Sequence, residues 1–191
     1  MINFPNAKIN IGLNITEKRS DGYHNIETIF YPVRLHDALE VLPSDRIAME
    51  TFGLPIPGDA QQNLCLKALD LIRADYAIKP IAIRLLKNIP MGAGLGGGSA
   101  DAAAALLATS ELFGTELPGN SVTLGADVPF AILGGTALGS DTGIELSPHP
   151  HVISQPIVLL INNKPLSTKA VFQEFDRLEL GEELEVPDFV N

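Results

Sequence analysis

Cysteine is almost absent from this 191-residue chain: Cys65 is the only one, which excludes an internal disulfide. It falls in the apolar helical pattern NLCLKALDLI, the setting of a small core residue. No apolar run approaches the roughly 18 residues of a membrane-spanning helix. The opening MINFPNAKIN lacks the apolar core of a secretory leader. These two absences lead to the expectation of a soluble, cytoplasmic protein without a membrane partner. Positive charge is also scarce, with 13 lysines and arginines against 23 aspartates and glutamates, a net charge of −10. A nucleic-acid partner favours a basic surface, so none is expected. Any small anion must be held locally, by a few lysines or by backbone N–H groups. Low-complexity tracts and internal repeats are missing as well. What remains is 46% hydrophobic, enough for one large domain or two small lobes with a real core.

The periodicities place the elements. Residues 7–16, AKINIGLNIT, alternate: Ile9, Ile11, Leu13 and Ile15 take one face, and Lys8, Asn10, Gly12, Asn14 and Thr16 the other. This predicts a strand with one buried face. The Asp-Gly turn signal in SDGY leads into a second strand, HNIETIFYPV, expected to stop at Pro32. ALEVL, RIAMET and IAIRLL are further strand candidates, and NLCLKALDLIRADY reads as a helix. A second helix is expected from about Ser99 to Phe113, closed by Gly114. VPFAILGGTALG and GIELS suggest a strand pair around a turn, and PIVLLI, 156–161, a short buried strand. STKAVFQEFDRL reads as a helix capped by Ser167 or Thr168, with Val171, Phe172, Phe175 and Leu178 as its apolar stripe. The tail ELGEELEVPDFVN is acidic and weakly patterned. Strands and helices follow in irregular order, which favours an α+β class.

One stretch breaks the pattern. PMGAGLGGGSADAAAAL carries glycines at 92, 94, 96, 97 and 98. Each loses more backbone freedom on folding than any other residue, so the cluster points to a loop that something approaches closely. A strand, this loop and a helix follow one another. The first N–H groups of a helix lack intrahelical partners, and its dipole favours negative charge. Ser99 offers a hydroxyl to a phosphate oxygen or a metal-bound water, and Asp101 in the first turn suits the dipole. Gly92, Gly94 and Gly97 fit the dinucleotide pattern G-x-G-x-x-G, but a cluster this dense satisfies many spacings. A Walker A loop fails because no lysine precedes Ser99. A plain turn before a helix is the bland alternative. A loop that wraps phosphates without a P-loop lysine fits best.

At these residues the sequence resembles the kinases named after galactose, homoserine, mevalonate and phosphomevalonate, whose ATP loop has the form Pro-x-x-x-Gly-Leu-Gly-small-Ser. PNAKINIGLNI, RSDGYHNIETIF, PMGAGLGGGSADAA and LGADVPF together resemble the branch that phosphorylates a cytidine-diphosphate sugar alcohol on the non-mevalonate route to isoprenoids. The resemblance implies a two-lobe fold, a small-molecule acceptor, and ATP with Mg²⁺. It implies that Pro90, Met91, Gly92, Ala93, Gly94, Leu95, Gly96, Gly97, Gly98, Ser99 and Ala100 hold the nucleotide. It makes Lys8 the catalytic lysine, where the residues alone also allow a solvated one. It makes Asp127 the base, where a turn or N-cap aspartate ahead of Pro129 is the alternative. Tyr23 and His24 would hold the cytosine, with Asn10 on the face of Lys8 and with Phe30, Thr168 and Phe172 nearby. Their bland readings are a hairpin pair, a helix cap and helix core. The metal ligands are not readable, and His149 and His151 read as loop residues without accompanying metal donors.

Two regions depart from the pattern. TELPGNSVTL stands where the family carries a further helix, so a break in the chain between Leu117 and Thr123 is expected. The family's third glycine-rich motif does not appear before Asn191. The expected division is an ATP-binding domain over 1–150 and an incomplete C-terminal lobe over 151–191.

Overall fold

The computed structural model describes residues 1–150, 152–161 and 167–178. Among these residues, two four-stranded sheets and four α-helices make up the α+β fold. The first sheet has the order β1 (Ile2–Asn3), β4 (Ala38–Pro43), β6 (Ile81–Lys87), β5 (Ala48–Gly53). The second has the order β2 (Asn6–Lys18), β3 (His24–His36), β7 (Ala137–Ser140), β8 (Glu145–Pro148). All pairs are antiparallel except β5 and β6, because helix α1 (Leu64–Asp75) carries the chain back across the sheet between them. Asn63 caps α1, accepting from the Cys65 N–H at 2.9 Å, a contact worth about 1 kcal/mol.

The main core lies between the first sheet and two helices. Leu39, Val41, Ile83 and Leu85 meet Cys65, Leu69 and Ile72 of α1 and the alanines of α2 (Gly97–Phe113). Small side chains let α2 be buried on most of its surface, which places its N-terminus rigidly beside the second sheet. Gly114 closes it in the left-handed conformation, φ 66°. Among the described residues no helix is long and apolar enough to cross a membrane.

Several expectations are corrected. β2 does not keep one buried face: register shifts fall between Asn6 and Lys8, Ile11 and Leu13, and Ile15 and Glu17, and Leu13 is 46% exposed. An extra residue at a bulge reverses the alternation beyond it. β3 does not stop at Pro32 but runs to His36, with the shift beside Lys8 accommodating the proline's missing N–H. VPFAIL is not a strand. It forms α3 (Val128–Leu133) with Pro129 in its first turn, where a missing N–H breaks no helical bond. PIVLLI forms no strand and is not buried: among the described residues it pairs with neither sheet, and Leu160 is 94% exposed. Only Leu159 packs inward, against the cluster of Ala7, Val33, Ile89 and Leu95. The expected chain break is absent. Thr115 N–H donates to Ser110, Pro118 is buried, Gly119 and Asn120 form a turn, and Thr123 N–H donates to Asn120 at 3.0 Å. A Pro-Gly-Asn sequence turns readily, and a short 3₁₀ turn over Ser121–Leu124 completes the bridge.

Helix α4 (Thr168–Arg177) is capped by Ser167, whose hydroxyl accepts from Ala170 N–H at 3.4 Å. Of its expected stripe, Phe172 and Phe175 pack against His24, while Val171 and Leu178 are 52% and 47% exposed. His149 N–H bonds to Thr136 O. His151 and the tail after Leu178 lie outside the described residues.

Candidate active site

A cleft of about 740 Å³ opens where β2, β3, the glycine loop, α3 and α4 converge. Lys8 anchors its inner end. The Lys8 N–H donates to Leu95 O at 2.9 Å, which ties β2 to the glycine loop. Its ammonium donates to Asn10 Oδ1 at 2.7 Å and lies 3.4 Å from Asp127 Oδ2. Asn10 in turn donates to Thr28 Oγ1, which donates to Gly12 O. The chain of bonds holds Lys8 in one rotamer while its side chain remains 12% exposed. Phe30 forms the floor, 2% exposed, stacked on Phe130 and 5.3 Å below the ammonium.

Asp127 stands at the N-cap position of α3, yet its side chain makes no capping bond. It turns to Lys8 instead. Gly96 explains why this corner needs glycine. Its φ is +67°, and a Cβ there would lie 2.9 Å from Lys8 Cγ and 3.3 Å from Asp127 Oδ2. The backbone thus approaches the lysine–aspartate pair as closely as it can. No side chain caps α2, so the N–H groups of Gly97, Gly98 and Ser99 have no partner within the helix.

The outer end of the cleft is aromatic. Tyr23, 67% exposed, rises from the β2–β3 hairpin. His24 is stacked on Phe172 with ring centroids 4.9 Å apart, and its Nε2 is 2.7 Å from Asp176 Oδ1. Lys18 also pairs with Asp176 at 2.8 Å. Lys18 first, then His24, holds the Asp176 carboxyl below the usual carboxylate range. Arg19 bonds Asp21 and Asp141, joining the hairpin tip to the β7–β8 turn.

Sequence-predicted residues therefore meet here: Lys8, Asn10, Tyr23, His24, Phe30, Gly94, Gly96, Ser99, Asp127, Thr168 and Phe172 all line the cleft. The rest of the loop is placed differently. Met91 and Gly98 line a second cleft of about 240 Å³ on the other side, with Asp59, Asn63 and Asp101. Gly92 and Ala93 are exposed and Pro90 half-buried. Gly97 backs onto Ile89 and Lys87. Leu95 and Ala100 are buried, and Ala100 N–H already donates to Gly96 O at 2.9 Å. Sequence reasoning missed Asp176, whose signal was its position one turn after Phe172. It also missed Lys87 and Asp37. Lys87 falls on the inward side of β6 with Ile81, Ile83 and Leu85, a lysine on a buried period.

The family model for the GHMP kinases N terminal domain matches residues 63–135. The chain is 49% identical to the 4-diphosphocytidyl-2-C-methyl-D-erythritol kinase of Parabacteroides distasonis over 78% of this chain and 56% of that one. It is 38% identical to the enzyme of the same name from Cytophaga hutchinsonii, over 98% of this chain and 73% of that one. A crystal structure of 4-(cytidine 5'-diphospho)-2C-methyl-D-erythritol kinase superposes with a TM-score of 0.68 at 39% identity, over 78% of this chain and 55% of the other. The chain thus spans roughly half to three quarters of the length of these relatives. By the extent and identity of these matches, the chain belongs to the 4-diphosphocytidyl-2-C-methyl-D-erythritol kinase family, a branch of the GHMP kinases.

Proposed function

We propose that this chain carries the ATP-dependent phosphorylation of the 2-hydroxyl of 4-diphosphocytidyl-2-C-methyl-D-erythritol, in the cytoplasm. The observation that carries the reading is the pairing of ends in one cleft: a lysine–aspartate pair against the glycine loop, and an aromatic group at the rim. Phosphoryl transfer is mostly positioning and electrostatic stabilisation. The unpartnered N–H groups of Gly97, Gly98 and Ser99 hold the polyphosphate, with the nucleotide's remainder in the smaller cleft beside Met91 and Gly98. Lys8 offsets negative charge on the transferring group. Asp127 orients the acceptor hydroxyl and accepts its proton. Tyr23 stacks on the cytosine, and the stacked His24–Phe172 pair forms the wall beside it.

Mg²⁺ fits this site. The ion takes hard oxygen donors and needs only one or two from protein beside phosphate oxygens. The Ser99 hydroxyl and the Asp127 carboxylate both line the cleft, although among the described residues no group of three or more acidic, histidine or cysteine side chains gathers. The Ser99 hydroxyl would hold it together with phosphate oxygens, and its charge would neutralise the β- and γ-oxygens.

A coupled ADP-release assay tests the reading. Release that depends on the cytidine-bearing acceptor is the expected result. Release with an acceptor lacking the nucleotide would make the chain another small-molecule kinase of the wider family. Nucleotide binding without turnover would leave a binding module.

A further inference from the structure

The aromatic rim of the cleft is held from behind by an arginine that the proposed chemistry does not use. Tyr23 ends the β2–β3 turn with most of its ring in solvent, and among the described residues no other ring packs on it. Its place is therefore set through its backbone. Its N–H donates to Asp21 Oδ1 at 3.0 Å, and its carbonyl accepts from the Arg19 N–H at 2.8 Å. The Arg19 side chain closes this ring of bonds. Its Nε donates to Asp21 Oδ2 at 3.0 Å, and its Nη2 lies 3.0 Å from the same oxygen.

The same guanidinium reaches two further segments. Its Nη1 donates to Asn25 Oδ1 of β3 at 3.2 Å and to Asp141 in the β7–β8 turn. Among the described residues Asp141 is the non-glycine residue with a positive φ, 57°. Such a conformation persists where the surroundings over-determine it. Here both of its acceptors are engaged by the hairpin: the carboxylate by Arg19, and the carbonyl by the Ile26 N–H at 2.6 Å. A planar fork of donors can serve three partners at once, which a lysine cannot do. Turn, strand and the neighbouring turn are thus fastened together at one side chain.

We propose that Arg19 is a positioning residue for the cytidine end of the cleft: by joining Asp21, Asn25 and Asp141 it presets Tyr23 in the place where the base stacks. This rests on the acceptor reading above. Arg19 is not among the residues that line the cleft, so it acts through Tyr23 and not on the ligand. A rim aromatic that is already ordered loses less freedom on binding, and affinity gains by that amount. None of the partners of Arg19 belongs to the glycine loop or to the Lys8–Asp127 corner. The effect therefore falls on the acceptor and leaves ATP untouched.

The test is calorimetric titration of the full chain with CDP, and separately with Mg·ATP. Arg19→Ala should weaken CDP about tenfold and leave ATP unchanged, a loss of the size that ordering one side chain costs. Asp141→Gly tolerates the positive φ and removes only the carboxylate. It should weaken CDP a few-fold, and add nothing once Arg19→Ala is present. The deciding measurement is Arg19→Ala in a Tyr23→Ala background. No further loss of CDP affinity is expected there, because the residue through which Arg19 acts is gone. A further tenfold loss would mean that Arg19 meets the ligand itself, and overturns the proposal. So does unchanged CDP affinity in Arg19→Ala, or an equal loss for CDP and ATP, which would make the arginine a general support of the fold. Should Arg19→Ala not fold, Arg19→Lys keeps the charge but not the fork. It should still weaken CDP selectively, and full CDP affinity in that variant overturns the proposal. An unmodified chain that binds CDP in this pattern yet never phosphorylates the acceptor keeps the role of Arg19 and refutes the kinase reading. An unmodified chain that binds no CDP refutes both.

Discussion

Lys8, Gly96 and Asp127 come from three distant parts of the chain and meet within one corner. Their roles can be separated by substitution. Asp127→Asn keeps size and should lower kcat by two or more orders of magnitude, because general-base catalysis contributes roughly 10²–10⁴. ATP affinity should change little if backbone N–H groups hold the nucleotide as proposed. Near-normal turnover in the variant would refute the base assignment. Gly96→Ala should be worse for binding than for folding. It places a side chain at φ +67°, which costs about 1–2 kcal/mol, and pushes a methyl into Lys8. Calorimetry showing unchanged ATP affinity would disprove that packing argument. Asp101 allows a stability prediction with a definite sign. Its folded pKa of about 7 lies above the ordinary 3.8, so its contribution is whole below about pH 4 and is lost as pH rises through about 7. Measured against Asp101→Asn, the thermal midpoint of the unmodified protein should therefore fall between about pH 5 and pH 8; a rise would contradict the assignment. At this scale the motif-borne residues were legible in the sequence. Lys87 was legible in principle, since strict alternation in IAIRLLK turns it inward. Charge alone argues for exposure, and only a partner 50 residues away, Asp37, permits burial.

Among the elements, the helices with caps and long periods were the readable ones: α1 behind Asn63, α2 before Gly114, α4 behind Ser167. Short apolar runs were not. VPFAIL and PIVLLI have the same composition as strands, and periodicity cannot separate a buried strand from a helical turn over six residues. Pro129 was the available hint for α3, being tolerated in a first helical turn. β2 shows another limit. Its alternation is visible in the sequence, but the bulge at Gly12 (φ +64°) is set by pairing with β3 and sends Leu13 into the cleft with Lys8 and Asn10. The same hairpin carries Tyr23 and His24 to α4. Tyr23→Ala removes one face of the proposed base site, a loss of roughly 1–3 kcal/mol for a stacking contact. The acceptor KM should rise about tenfold or more while the ATP KM stays nearly constant. Equal changes in both would show that Tyr23 supports the fold rather than the base.

Across the whole molecule the two sheets are unequally supported. The first is packed against α1 and α2 over a continuous core, including a fully buried Ile72, Ile81, Leu85 and Leu106. The second rests on smaller clusters, one around Phe30, Phe130 and Ala137 and another around Ala7, Val33, Ile89 and Leu95. This inequality was not legible in the sequence, because hydrophobic runs of similar strength appear in both halves and only the topology decides which are covered on both faces. Local opening follows the density of buried apolar contacts. Amide exchange should therefore be slowest in β4, β6, α1 and α2, faster in β2 and β3 near the hairpin tip, and fastest in 152–161, where Val152, Val158 and Leu160 are exposed. The proposed acceptor cleft is built on the less supported side, with α4 attached chiefly through Phe172, Phe175 and the Asp176 pair to Lys18 and His24. Ligand bound between hairpin and helix must add to the free energy of opening there by mass action. CDP at saturation should slow exchange at the hairpin tip and in α4 while leaving β4, β6 and α1 unchanged. Uniform slowing would mean that both sheets open as one unit. No slowing at the tip would place the cytidine outside this cleft.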